Sequence, residues 1–477
     1  MSHMDHAAFV GTYTGCAQKE LFLGELVVLL ALMLRNVSLP WIFLGRKFNS
    51  STCMYWFKFL LDYTFLALPP LLAMTIFSQS LILLTCVTVA CLATIIVFII
   101  CEYFMSSDRP SIRSVLNRII DEQHQPTTFL TYFRSSMLLS VAAAILAVDF
   151  PIFPRRFTKT EKYGHSLMDL GVAGFISASA ITSRLKSIVS NELKPYQKSW
   201  YQYFRSSYVL LPLIGMARTI VLTILDYPQH VTEYGVHWNF FYTLAVVKMV
   251  SHVFPKKFPL IWACIFGVLQ QTMLMYGFES WILDGTNKRD TLFSANAEGI
   301  CSLMGYLTIY YISDAMANFI SKTGIRLKSW FSCTWKLYLF SLFFYIIQRL
   351  CEHSLGPPSR RVVNITYVFA QMSVLSFALA GFMCIQLFSL VAWAANVPHF
   401  SVDDNPWCNM QPCLTTSVNK SGLMFFLLAN ILTGFVNFVI DTHRTDDVVA
   451  MFILVTYMFT LCTVVHILNY TKIRRGR

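Results

Sequence analysis

The stretch LAVDFPIFPRRFTKTEKYG, residues 146–164, holds one carboxylate, Asp149, followed by four cations, Arg155, Arg156, Lys159 and Lys162, with Thr158, Thr160, Glu161 and Tyr163 between them. A carboxylate can take a proton from a reacting group, and a nearby cation can hold negative charge as it develops. The backbone imposes the spacing. An apolar helical pattern, SMLLSVAAAILAV, runs directly into Asp149, after which Pro151 and Pro154 remove backbone donors and push Phe150 and Phe153 toward extended geometry. The helix therefore ends at the aspartate, and the cations follow in a turn before another apolar pattern begins near Leu167.

The elements that must carry this turn are membrane spans. Of 477 residues, 56% are hydrophobic and only 13% charged, more apolar surface than a water-soluble core accommodates. The apolar runs are about 20 residues long rather than alternating ten-residue strands, so helices are the spanning elements. The expected fold is all-α, a polytopic integral membrane protein in one bundle, with a lumenal 1–20 stretch, a multi-span domain over 21–470 and a basic cytosolic tail at 471–477. Spans are expected near 21–43, 57–78, 79–101, 129–148, 166–183, 206–225, 238–254, 258–276, 299–320, 331–350, 363–396, 422–441 and 447–470, thirteen in all. The first carries Arg35 and Pro40 and the eleventh is overlong, so both invite a kink or tilt. No charged n-region with a small-residue cleavage site precedes the first run, which is expected to be retained. The thirteen cysteines are scattered without a CxxC pair, and no disulfide framework or zinc site is legible.

A net charge of +12 raises nucleic acid as a partner, but the Lys and Arg sit in short clusters beside apolar runs, as inside-facing loops do. The clusters are Arg46 and Lys47; Arg109, Arg113 and Arg118; Arg184, Lys186, Lys194, Lys198 and Arg205; Lys256 and Lys257; Lys322, Arg326 and Lys328; and the tail from Lys472. With thirteen spans they share one face, which puts the C-terminus in the cytosol and the N-terminus in the lumen. The 146–164 stretch then lies on the lumenal side. Its four cations oppose the topology signal, which points to retention for chemistry; the alternative is interfacial snorkelling.

Other polar clusters fall on the same face. DYPQHVTEYGVHWNFFYT supplies His230, Glu233, Tyr234, His237, Trp238 and Asn239, with Glu233 and His237 spaced to share one helix face; an interfacial aromatic belt is the alternative. SANAEG places Asn296 and Glu298 at the mouth of the ninth span, where capping alone would account for Ser294 and Asn296. Asn430, Thr433, Gly434, Asn437 and Asp441 form a stripe along the twelfth span, either a packing seam or a cavity wall. Asp169 sits early in the fifth span beside Gly171, Ala173 and Gly174, a functional carboxylate or one hydrogen-bonded to a neighbouring helix. His399 and Asp404 match an acyltransferase HxxxxD spacing, but they lie in a Pro- and Asn-rich cytosolic connector without the accompanying glycine-rich motif, and chance accounts for them. The sequons at Asn36, Asn49, Asn364, Asn419 and Asn469 lie in or near spans or on the cytosolic side, and little glycan is expected.

Asp149 to Gly164, MDLGVAGF from Met168, EYGVHWNFF from Glu233, SANAEGI around Asn296 and ANILTGFVNFVIDT from Ala429 together resemble the glycosylphosphatidylinositol (GPI) inositol acyltransferases, the PIG-W family of the endoplasmic reticulum. The resemblance implies transfer of a palmitoyl group from palmitoyl-CoA, a substrate rather than a bound cofactor, to the 2-hydroxyl of inositol in glucosaminyl-phosphatidylinositol. It places the family's essential aspartate and lysine on Asp149 and Lys159. It offers no nucleophilic serine or cysteine, so direct transfer is expected. Asp149 is then the base, and Lys159 stabilises the oxyanion or holds Asp149 in place. Arg155 and Arg156 suit the lipid phosphate and Glu233 the glucosamine ammonium. Tyr163, Asp169, His237, Asn239, Asn296, Asn430 and Asn437 complete the expected substrate contacts. A cytosolic thioester and a lumenal turn require a path through the bundle for the donor. The rival reading is a lipid or solute transporter, which calls for repeated halves that the sequence lacks.

Overall fold

The computed structural model describes residues 15–43, 52–105, 111, 113, 128–191, 207–224, 231–254, 257–283, 287–323, 327–395 and 413–475. His230, His399, Asp404, Asn49, Arg46, Lys47, Arg109, Arg118, Lys194, Lys198, Arg205, Lys256 and Arg326 lie outside the described residues. Among the described residues the regular elements are all helical. In chain order they are α1 (Gln18–Phe43), α2 (Thr52–Leu66), α3 (Leu68–Met74), α4 (Leu81–Met105), α5 (Thr128–Ala147), α6 (Leu170–Asn191), α7 (Ser207–Ile224), α8 (Val231–Tyr234), α9 (Phe240–Val253) and α10 (Pro259–Met273). There follow α11 (Glu279–Leu283), α12 (Leu292–Ala295), α13 (Ala297–Cys301), α14 (Leu303–Ser321), α15 (Leu327–Ser354), α16 (Ile365–Ala395), α17 (Leu414–Lys420), α18 (Gly422–Val439) and α19 (Asp447–Arg475).

Nine helical stretches among the described residues are long and apolar enough to cross a membrane. They cover nine of the positions expected from the sequence. The remaining four are helical too, with a physical reason for weaker signals. Tyr208–Ile224 and Phe240–Val253 are apolar but short. The other two, α6 and α14, are polar because they pack on each other: Ser313 Oγ donates to Ser177 Oγ at 2.8 Å, and Arg184 pairs with Asp314. Polar groups inside a lipid-embedded protein are tolerated where they meet partners. At the other extreme, α4 exposes Ile82, Leu83, Val97, Phe98 and Phe104, an apolar face that in a bilayer would meet lipid.

Packing divides the chain into two compact units, a division the sequence pattern does not announce. The Lys159 unit comprises Met1–Ala17, Thr158–Lys322 and Leu339–Leu375, and the Asp149 unit Gln18–Phe157, Thr323–Tyr338 and Ser376–Arg477. The boundary between Phe157 and Thr158 falls inside the polar stretch. In the Lys159 unit α14 is the centre, packed on α6 and α10. In the Asp149 unit α1 packs on α4 through Leu34, Val37, Leu92 and Ile99. A buried Arg35–Asp62 pair at 2.7 Å ties α1 to α2, and Leu414 N–H also donates to Asp62.

Candidate functional site

In the Asp149 unit, α5 ends at Ala147, as the prolines require, and Asp149 N–H closes the last turn on Leu146 O at 3.2 Å. Phe150 and Phe153 are fully buried and anchor the turn. Asp149 is itself only 6% exposed, and the amide of Asn437 on α18 donates to its Oδ2 at 2.8 Å. The helices behind this contact are held by Tyr457 of α19, whose hydroxyl lies 3.1 Å from Ala142 O and 3.2 Å from Ala429 O. Asp149 is thus a buried carboxylate that accepts a hydrogen bond from a neutral side-chain amide on α18.

The two arginines of the turn hold its backbone. Arg155 donates to Val148 O at 2.8 Å, Phe150 O at 2.6 Å and Phe153 O at 2.8 Å, satisfying carbonyls left open at the helix end. Arg156 pairs with Glu20 at 2.8 Å and donates to Ser78 O at 2.9 Å, tying the turn to α1 and to the 75–80 connection. The sequence reads both as phosphate ligands; in the structure their guanidinium groups spend hydrogen bonds on the protein. Of the α18 stripe, Asn430 is exposed and donates to Phe426 O of its own helix, Thr433 meets Tyr457 and Asn437 meets Asp149. Asp441 lies past the helix end beside His443.

In the Lys159 unit four charges alternate in sign. Lys159 Nζ is 2.7 Å from Glu233 Oε1, Arg360 Nη1 is 3.6 Å from the same oxygen, and Arg360 Nε is 3.1 Å from Asp169 Oδ1. Burial raises the Glu233 carboxyl, but Lys159 and Arg360 outweigh it and hold the group down at about 2. Asp169, read from sequence as lying within a span, immediately precedes α6 and is fully buried. Thr160 Oγ1 donates to its Oδ2 at 2.8 Å, and Tyr367 Oη donates to its backbone carbonyl at 2.8 Å. Glu233, expected to meet a substrate ammonium, is flanked by two protein cations. Tyr163 is exposed, and its hydroxyl donates to Glu279 at 3.0 Å.

Glu233 and His237 do not share a helix face. The α8 helix stops at Tyr234 because Gly235 takes φ +114°, and a Cβ there would lie 2.5 Å from Asn296 Cα. His237 is exposed beyond that turn, its backbone N–H donating to Asn296 Oδ1 at 2.8 Å. Asn296 also donates to Leu292 O, so it braces two loops. Asn239 is the N-cap of α9, accepting from Phe241 and Tyr242 N–H and donating to Gly215 O at 3.0 Å and Thr219 Oγ1 at 3.2 Å. Those bonds use both its donors and both its acceptor positions. Among the described residues no group of three or more His, Cys, Asp or Glu is arranged to hold a metal ion.

Arg360 and Arg361 are absent from the sequence-derived set. Both are buried, at 6% and 7% exposure, and Arg361 reaches Glu298 at 3.1 Å, where Arg289 also binds at 2.6 Å. The available signal was a second basic pair, in SRRVVN.

A family model described as GWT1 matches residues 2–468. The glucosaminyl-phosphatidylinositol-acyltransferase PIGW of Bos taurus is 31% identical over 498 residues, covering 97% of each chain. GPI-anchored wall transfer protein 1 of Candida albicans is 33% identical over 389 residues, covering 74% of this chain and 76% of its own. The phosphatidylinositol-glycan biosynthesis class W protein of Dictyostelium discoideum is 29% identical over 512 residues, covering 98% of each.

Proposed function

Since this chain belongs to the GWT1 family, matched over residues 2–468, we propose that it is a multi-pass membrane acyltransferase that acylates the inositol of glucosaminyl-phosphatidylinositol in GPI-anchor biosynthesis. The donor is palmitoyl-CoA and the site of transfer the inositol 2-hydroxyl. The hydroxyl oxygen attacks the thioester carbonyl, the carbon–sulfur bond breaks, and CoA leaves as the thiol with the proton the hydroxyl gives up. Asp149 takes that proton from the hydroxyl and returns it to the departing thiolate. Lys159 stabilises the oxyanion of the tetrahedral intermediate or fixes the orientation of Asp149. The enzyme works in the endoplasmic reticulum membrane, with its N-terminus lumenal and its C-terminus cytosolic.

The observation that carries this reading is the Lys159 network. The ammonium is the exposed end of the network, its side chain 40% exposed, while the charges behind it are progressively buried. A cation fixed in this way can meet charge that develops on a bound substrate without reorganising. The test is purified protein in micelles with palmitoyl-CoA and glucosaminyl-phosphatidylinositol, following free thiol and the mass of the acceptor. Acceptor-dependent thiol release with one palmitoyl group added to inositol is the expected result. Thiol release without acylated acceptor, or none at all, refutes it; a transporter would give none.

A further inference from the structure

The sequence-derived roles leave unexplained why a charged arginine should be buried beneath Glu233. We propose that Arg360 and Asp169 are positioning residues for Lys159, a buried ion pair that holds the lysine side chain through Glu233 and its backbone through Thr160. The proposal rests on the reading that Lys159 acts in acyl transfer.

Two separate arms lead from this pair to residue 159. Along the first, side-chain exposure falls from 40% at Lys159 to 20% at Glu233, 6% at Arg360 and 0% at Asp169. The planar guanidinium spans two carboxylates, which a lysine's point charge cannot do in the same geometry. Along the second, Thr160, the next residue in the chain, presents both its hydroxyl, at 2.8 Å, and its N–H, at 3.4 Å, to the carboxylate of Asp169. The Lys159 side chain is thus linked to the pair through Glu233, which Arg360 approaches at 3.6 Å, and the chain beside it through Thr160.

The loop that carries Arg360 is fastened to the same segment. Ser359 Oγ donates to Lys162 O at 2.6 Å, and Gly164 N–H donates to Pro358 O at 2.9 Å. Asn364 closes the loop on itself, accepting from Ser359 N–H at 3.0 Å and donating to Pro357 O at 2.9 Å. Val363 is held at φ +47°, in the left-handed region that a β-branched residue avoids, and is fully buried. A strained, over-determined loop that delivers Arg360 to this buried position is poorly explained by stability. Buried ion pairs are seldom better for stability than apolar residues of similar volume, so registration is the better reason for this one.

The test is kinetic. Asp169→Asn combined with Arg360→Gln removes both buried charges together, leaving neither unpaired. The double variant is expected to keep a thermal midpoint close to wild type and a KM for each substrate within about threefold, while kcat falls about 10- to 100-fold, since a misplacement on the order of 1 Å costs up to about 100-fold. Arg360→Lys keeps the charge without the fork and is expected to lose kcat in the same way. A folded double variant with wild-type kcat, or one that changes only KM, overturns the proposal; so does loss of fold in both variants, which would make the pair purely structural. Lys159→Ala, run in parallel, separates the two ideas. If it retains wild-type activity, the reading of Lys159 fails; if it is slow while the double variant is normal, only the positioning role fails.

Discussion

Replacing Asp149 by asparagine removes a charge and a proton acceptor while keeping the side chain's shape. Asn437 donates to Oδ2 of Asp149 at 2.8 Å, and the amide oxygen of an asparagine can accept the same bond. At this contact the structural cost is the difference between a charge-assisted and a neutral hydrogen bond, about 1 kcal/mol. The chemical cost is far larger. A general base contributes about 10²- to 10⁴-fold, or about 3–5 kcal/mol of barrier. Thermal stability and kcat should therefore separate: Asp149→Asn melts close to wild type in detergent, KM for palmitoyl-CoA is little changed, and kcat falls by two to four decades on this scale. Purified wild type and variant, compared for acceptor-dependent thiol release at saturating substrates, decide the matter. Equal release by both would remove Asp149 as the base.

Asn437→Leu takes away a donor to Asp149, and the loss of a charge-assisted bond of about 1.5–3 kcal/mol predicts a kcat about 10- to 100-fold lower in the same assay. The carboxyl of Glu233 is held at about 2 against an ordinary 4.5, so its stabilising effect is complete above that ordinary value and is lost as pH falls toward 2. This is worth on the order of 3 kcal/mol, and the gap in thermal midpoint between wild type and Glu233→Gln should be widest at neutral pH and close between pH values of roughly 5 and 2; a gap independent of pH contradicts the ion pair. Gly305→Ala would set a Cβ 2.3 Å from Val363 O and is expected to lower the midpoint by several degrees, about 1–3 kcal/mol, whereas Gly434→Ala, which meets nothing within 4 Å, should leave it unchanged or raise it.

What the sequence made legible was local. Two prolines stop α5 before Asp149, and the periodic stripe on α18 contains Asn437, the residue that meets that aspartate. What it hid depended on turns and on distant partners. The i, i+4 spacing of Glu233 and His237 has meaning only if the helix continues, and Gly235 ends it. Arg155 looks like a free cation in a string of letters because its partners are carbonyl groups, which every residue carries. Arg360 lies far along the chain from Asp169 and Glu233, and no periodicity links them; only folding shows that its charge is balanced. Asn239 stands out in the sequence as part of the polar cluster after the sixth span and Asn296 as a cap or mouth residue, and both brace backbone.

The Arg360–Asp169 pair also constrains how the protein is made. The aspartate leaves the ribosome about 190 residues ahead of its arginine, an interval of roughly 10–40 s at ordinary rates of synthesis. During that time a carboxylate destined for the interior has no guanidinium to meet it and must stay protonated, hydrated or sheltered by another protein. The nascent chain therefore inserts its first helices with this site unlocked, and a ribosome that stops before the SRRVVN loop leaves a product in which the Lys159–Glu233 pair lacks its buried arginine.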